Sequence, residues 1–321
     1  MIFRIQAVVI WSVATSTMGT AWAYRWTGEI DGINFLLCLA ISSIVQGFPA
    51  HIVNEITDWK SGADRPRAGK SGGGKVLLTG LATVPQLRWM FWMTSAAVFV
   101  LAGWLCIRTA WMLGALFIAG YTASLLYTLP PFRFAYRPFL GEWLGGFVGI
   151  VMNLTGSYAA QTGRVDARVI DLAVPVGLIY IGIMLLFHYI DYRSDQLSRP
   201  VKRTTIVHLG LRRSRMYVGA ILLIALVLSV VESFSAWQVL WLAGWALAHL
   251  VIHGMCRPES EDSVLHAGKW LMLSTVFGVT GFAASIHPLF LLFVPITWVA
   301  RRLHKTFGKL PSGWRSVQSA A

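Results

Sequence analysis

The segment Val169-Ile-Asp-Leu-Ala-Val-Pro-Val-Gly-Leu-Ile-Tyr-Ile-Gly-Ile-Met-Leu-Leu-Phe-His-Tyr-Ile190 carries one acid near its start and is otherwise uncharged, and Asp191-Tyr-Arg-Ser-Asp195 follows it at once. A helix rises 1.5 Å per residue, so about 20 apolar residues cross a hydrocarbon core. The segment is long enough to span, and its acids fall where a span ends. Runs of the same kind occur at 5–24, 33–53, 89–107, 110–129, 140–160, 216–231 and 236–254, with a longer one at 270–299. Hydrophobic residues make up 56% of the chain and charged residues only 13%, which leaves no composition for a separate water-soluble domain. The expected fold class is therefore all-α, a polytopic transmembrane helix bundle with residues 1–321 as one integral membrane domain. Nine spans are counted, or ten if 270–299 hinges at His287-Pro288, where proline removes a backbone donor.

Arg4, the apolar run behind it and Ala21-Trp22-Ala23 also resemble a signal peptide with a small-residue cleavage site, although the run is long enough to span uncleaved. Cys38, Cys106 and Cys256 lie in or beside different apolar runs without paired spacing, so they read as packing residues rather than a disulfide or zinc framework. The net charge of +13 is distributed by loop, which is a topology signal and not a nucleic-acid footprint. Segment 54–88 carries Lys60, Arg65, Arg67, Lys70, Lys75 and Arg88; segment 191–215 carries Arg193, Arg199, Lys202, Arg203, Arg212, Arg213 and Arg215. With Arg4, Arg133, Arg137, Arg257 and Lys269 they outweigh Arg25, Arg108, Arg164 and Arg168 on the other side. The basic side is expected to be cytoplasmic in a multi-pass cell-membrane protein. Arg301, Arg302, Lys305, Lys309 and Arg315 follow the last run and favour a cytoplasmic C-terminus, hence ten spans.

Only 14 acids occur, and two groups of them fall on that basic face: Glu55, Asp58 and Asp64, and then Asp191 and Asp195. A helix continuing past 53 places Asn54 and Asp58 one turn apart on one face, and Asp191 and Asp195 repeat that spacing. Asp64 is about 240° round from Asp58 on an ideal helix and joins the group only if the helix stops first, for which Gly62 is suited. Solvated helix ends account for any one of these acids. Two same-face pairs inside the two most basic loops are a costly concentration of like charge unless a cation bridges them. All-oxygen ligands suit magnesium, which commonly binds through carboxylates plus substrate phosphates.

At these residues the sequence resembles the UbiA superfamily of membrane prenyltransferases, in the motif form of 1,4-dihydroxy-2-naphthoate prenyltransferases. Four blocks carry the resemblance in order: Asn54-Glu-Ile-Thr-Asp58-Trp-Lys-Ser-Gly-Ala-Asp64; Gly72-Gly-Gly-Lys-Val-Leu-Leu-Thr-Gly80; Tyr127 through Pro130, Pro131, Arg133 and Arg137 to Gly141-Glu142, extended by Tyr158 to Gly163; and Asp191-Tyr-Arg-Ser-Asp195 with Lys202 to Gly210. Phe187-His188-Tyr189-Ile190 stands where many relatives have Asn and Arg, and Lys202 follows Asp195 at a longer spacing, so the resemblance does not fix which acceptor is used.

The resemblance implies magnesium-dependent transfer of a prenyl group from an allylic polyprenyl diphosphate to an aromatic small-molecule acceptor, such as a dihydroxynaphthoate quinone precursor, among membrane lipid. It implies metal ligands Asn54, Asp58, Asp64, Asp191 and Asp195, with Asp58 and Asp191 central to catalysis. Lys60, Arg67, Arg137 and Lys202 are candidates for the diphosphate, and Tyr127 and Tyr158 for stabilising an allylic cation through their rings. Glu142 also reads as an acid favourable to a helix dipole. His249 and His253, a turn apart without a third ligand, read as polar contacts within the bundle, and Gly72 to Gly74 as a flexible cap lacking a phosphate-loop ending. Two other functions compete: a UbiA-type terpene cyclase, in which the substrate captures its own cation, and a transporter or channel, against which the lack of acids through the middle of the apolar runs argues.

The charge distribution predicts that cysteines placed at Ser71 and Ser198 stay unlabelled by an impermeant thiol reagent added outside intact cells. Strong labelling at either position reverses the orientation.

Overall fold

The computed structural model describes residues 5–62, 76–230 and 234–307, and every regular element among them is helical. In chain order these are α1 (5–27), α2 (Gly32–Ser61), α3 (Val84–Arg108), α4 (Met112–Leu126), α5 (141–162), α6 (Ala167–Leu197), α7 (Thr205–Leu228), α8 (Ala236–Met255), α9 (Glu261–Ala284) and α10 (Phe293–Phe307). Local signals set many of the ends. Asp31 caps α2, and Thr83 with Gln86 and Ser235 with Gln238 form capping boxes for α3 and α8. Gly62, at φ 76°, takes the left-handed conformation that ends α2, so the helix does stop before Asp64.

Helices α2, α3, α6 and α8 are long and apolar enough to cross a membrane, and α4 is a shorter apolar helix. Each of the eight runs before residue 270 coincides with one helix. The stretch 270–299 is not one tilted helix: α9 ends at Ala284, His287 caps a 3-10 turn at Pro288–Leu292, and α10 follows. Phe290 packs with Ala21 and Ala283, whereas His304 reaches the cavity beside Gln6, so α10 returns along α1 toward its start. Ten helices thus stand among the described residues, although α10 is only about 22 Å long, short of a full hydrocarbon core.

The helices form one bundle around α6, whose side chains from Leu172 to Ile190 are largely buried against α1, α5, α7, α8 and α9. Large apolar side chains on the outside, among them Trp92, Ile107, Met216, Val227 and Met255, are exposed, as expected of a surface solvated by lipid tails. The helix ends sort into two faces. At one, Arg108 pairs with Asp31, Gln161 bonds the Asp31 backbone, and Arg25 and Arg168 stack on Trp26. These include three of the four basic residues assigned to the sparsely charged side. At the other face, Thr128 donates to Asn54 and the Arg199 N–H donates to the Ser61 carbonyl.

Packing between α1 and α5 depends on Gly19: a Cβ there falls 2.3 Å from the Leu154 backbone carbonyl oxygen and 3.0 Å from the Ser157 Cβ. Small residues let membrane helices approach to backbone contact where no hydrophobic force between helices drives them together. Gly19→Ala is predicted to lower the thermal midpoint in detergent, costing about 1–3 kcal/mol as overpacking does. Gly103→Ala, where a Cβ meets nothing within 4 Å, is the control and is predicted to leave the midpoint unchanged or raise it. Equal midpoints for Gly19→Ala and wild type refute the close-approach account.

Candidate active site

A cavity of about 710 Å³ opens among α1 to α6, and Asn54, Asp58, Asp191 and Asp195 sit at one end of it. On α2 the cavity face is Cys38, Ser42, Gln46, Ala50, Asn54 and Asp58, a row of four-residue steps. Such steps drift about 40° each on an ideal α-helix. A π-helical turn at Gln46–Ala50, containing Pro49, takes more residues per turn and swings the row back. The π turns Val9–Val13 and Gly141–Phe147 likewise contribute cavity residues, Ile10, Trp11 and Ser12 from the first and Gly145 and Gly146 from the second. From α6 come Ile183, Met184, Phe187, His188, Asp191, Ser194 and Asp195. Leu105, Leu113, Leu116 and Phe117 give the wall of α3 and α4 an apolar lining.

At the charged end, the Asn54 Nδ2 donates to Asp58 Oδ2 at 2.9 Å, so the one-turn spacing does place both groups together. Lys202 comes in from the segment between α6 and α7. Its backbone N–H donates to the Asp195 carbonyl at 3.1 Å and to Ser198 Oγ at 3.0 Å, which folds the segment back over the end of α6. The Lys202 Nζ then lies 3.6 Å from Asp58 Oδ1, with both side chains 12% exposed. Burial by itself lowers the ammonium's pKa, but Asp58 and Asp195 outweigh it and hold the group well above its ordinary value. Lys202 is therefore a fixed positive charge, and it also faces the Tyr136 ring at 5.8 Å.

The carboxylate oxygens Asp58 Oδ1 and Asp195 Oδ2 are buried and accept no hydrogen bond. Buried oxygens of this kind are normally satisfied, so a cation or its waters fits here, and Asn54 and Asp191 add further hard oxygen donors at the same cavity end. Among the described residues no three His, Cys, Asp or Glu approach closely enough to hold a metal alone. The donor set thus fits magnesium that completes its shell with phosphate oxygen and water, and not a cage made wholly by the chain.

The other residues expected at the site are placed as follows. Tyr127 lines the cavity, its ring lying so close to Gly145 that a Cβ there falls 2.3 Å from Tyr127 Cδ2. Tyr158 is elsewhere: it is about 25 Å along α5 from Gly141 and donates to Asp166 at the opposite face. Lys60 is exposed at the end of α2, and Arg137 is exposed and donates to the Pro131 carbonyl; neither lines the cavity. Asp64, Arg67 and the Gly72 to Gly74 cap lie outside the described residues. Glu142 is in the first turn of α5 as the dipole argument has it, but it is also buried and accepts from Thr205 and Tyr217, joining the start of α5 to α7. His249 accepts from Trp245 and His253 meets the Gly182 carbonyl, both inside the bundle.

Sequence reasoning missed a polar belt deeper in the cavity. Asn153 donates to the Ser12 carbonyl and to Thr15, Ser16 donates to Asn153 and meets Ser42, and Ser12 donates to Gln46. Its signal was present in the four-residue row through Ser42 and Gln46 that ends in the acid motif. His188, Phe187 and Met184 were equally readable as the face of α6 carrying Asp191.

The UbiA prenyltransferase family model matches residues 12–262. The chain is 26% identical over 245 residues to the 1,4-dihydroxy-2-naphthoate octaprenyltransferase of Bacillus subtilis, covering 75% of this chain and 70% of that one. Its fold is similar to that of a UbiA homologue from Aeropyrum pernix, with TM-score 0.70 and 17% identity over 88% of this chain and 98% of the other. It is also similar to a UbiA homologue from Archaeoglobus fulgidus bound to DMAPP and Mg2+, with TM-score 0.65 and 14% identity over 87% of this chain and 98% of that one.

The geometry around Lys202 carries a prediction. Lys202→Ala leaves Asp58 and Asp195 at the cavity end without the ammonium between them, and breaking a buried pair from one side costs about 3–5 kcal/mol. The variant is predicted to unfold at a lower temperature than wild type in EDTA and to recover part of the loss in saturating Mg2+, which then replaces the missing charge. Identical midpoints in EDTA refute the account.

Proposed function

The chain belongs to the UbiA prenyltransferase family, and from that premise we propose that it transfers a prenyl group from an allylic polyprenyl diphosphate to an aromatic acceptor of the dihydroxynaphthoate class, at the cytoplasmic face of the membrane and with magnesium. The observation that carries this reading is the polarity of the cavity, which has Asn54, Asp58, Asp191, Asp195 and a buried ammonium at one end and an apolar wall of Leu105, Leu113, Leu116 and Phe117 elsewhere. That arrangement matches a molecule with a charged head and a long apolar tail.

Asn54, Asp58, Asp191 and Asp195 would hold magnesium, with Asp64 as a further candidate. When bound, the metal supplies positive charge that stabilises the departing diphosphate. Lys202, already positive and fixed by its backbone contacts, stabilises the same oxygens as the allylic C–O bond breaks and its electron pair leaves with the diphosphate. The ring of Tyr127, held by its contact with Gly145, presents a π face to the allylic carbon, and the walls of α3 and α4 keep water from it. An acceptor ring carbon then forms the new bond to the prenyl group and gives up its proton. The Bacillus subtilis relative, named for a naphthoate acceptor and an octaprenyl donor, supports the substrate class.

The two motif groups, Asn54 with Asp58 and Asp191 with Asp195, are proposed to act as one unit. Asp58→Asn and Asp191→Asn are each predicted to nearly abolish turnover, and the double variant to be little worse than the worse single one, because groups acting together are not additive. Full activity in a correctly inserted Asp191→Asn protein refutes the shared site.

A further inference from the structure

We infer that His188 binds the aromatic acceptor, its imidazole accepting a hydrogen bond from an acceptor hydroxyl; the inference rests on the prenyl-transfer reading above. His188 lines the cavity on α6, one turn from Asp191 toward the membrane interior, about 4.5 Å along the axis. It therefore lies at the boundary between the charged end and the apolar wall, where the reacting carbon of a diphosphate held at Asp58 and Asp191 would be.

Several polar neighbours at this end of the cavity already have partners. Asn54 donates to Asp58, Lys202 pairs with Asp58, Ser194 donates to the Asp191 carbonyl, Ser124 donates to the Tyr121 carbonyl, and His51 meets the Gln46 carbonyl. His188 makes no side-chain hydrogen bond among the described residues, and its Nδ1 is buried without a partner. Buried polar groups are rarely left so, and each calls for an explanation. A neutral imidazole has one N–H and one bare nitrogen, which suits a hydroxyl and gives little grip on a diphosphate.

Two glycines of α5 let large side chains line the cavity close to the helix backbone. Gly145 lets the Tyr127 ring lie against the α5 backbone, and Gly146 does the same for Met184, whose Sδ falls 2.7 Å from where a Cβ would stand. An aromatic acceptor ring against Met184 gains sulfur contact. The remaining polar edge of such a ring has His188 to meet. The residue also falls in Phe187 to Ile190, one of two places where the sequence departs from the motif form it resembles.

The test uses full-length wild type, His188→Asn and His188→Ala in detergent, with 1,4-dihydroxy-2-naphthoate and its methyl ethers as acceptors and a panel of allylic diphosphates. Equilibrium binding of the acceptor is read in EDTA by tryptophan fluorescence, and KM for each substrate is read with Mg2+. In His188→Ala the acceptor Kd and KM are expected to rise about five- to tenfold, the worth of one hydrogen bond, with the allylic diphosphate KM changed less than twofold. Methylating the hydroxyl that meets His188 weakens binding to wild type by a similar factor and has no further effect on His188→Ala, a signature that general loosening of the bundle does not give. His188→Asn, which offers an acceptor oxygen, retains part of the affinity and serves if the alanine variant does not fold. An unchanged acceptor Kd in the folded variants, equal effects on both substrates, or an undiminished ether penalty in His188→Ala overturns the inference while wild-type turnover keeps the prenyl-transfer reading. Absence of prenylated product from wild type with every pair overturns both.

Discussion

Everything at the charged end of the cavity depends on one buried ammonium. At an effective dielectric of about 20, opposite charges some 4 Å apart attract by about 4 kcal/mol. Desolvating two ions costs several kcal/mol each, so the Lys202–Asp58 pair contributes little net stability. What it contributes is register. Lys202 enters from the end of α6, held by the Asp195 carbonyl and Ser198, and pairs with an acid on α2. The neighbouring Arg199 N–H bonds the Ser61 carbonyl at the end of α2. Two segments more than a hundred residues apart are thereby fastened, and Asp58 and Asp195 keep a cation beside them.

Below that end, the bundle reconciles a polar cavity with an apolar solvent outside. A hydrocarbon environment forces backbone groups to pair within helices, so the chain shapes a cavity by altering the helices themselves. Three π turns do this, each supplying residues to the cavity. Pro49 gives one a cause, since it lacks the donor that an α-helical turn requires. Gly145 and Gly146 then let Tyr127 and Met184 reach the α5 backbone. The polar belt of Ser12, Ser16, Ser42, Gln46 and Asn153 is satisfied internally, which is how it persists at membrane depth.

Much of this is legible in the sequence. Apolar run length gave the helices, because the thickness of a bilayer is a fixed ruler. The one-turn spacing of Asn54 and Asp58 put them on one face, and Gly62 stopped α2 where a left-handed residue was needed. The resemblance of the acid motifs pointed to the family that residues 12–262 match. Tyr158 shows where such reading runs out: motif proximity suggested a place near the acids, but the helix carries it to the opposite face, where it donates to Asp166.

The sequence by itself determined the helical class, the helices before residue 270 and the pairing of acids within each motif, since those follow from periodicity and local backbone chemistry. Only the tertiary structure decided that the two motifs line one cavity with Lys202, that 270–299 folds back as two helices, and that Lys60 and Arg137 do not line that cavity. The reason is physical: contacts between helices are set by which small residues allow close approach and which polar groups find partners. Those choices are made between segments distant in the chain and leave no period in either one.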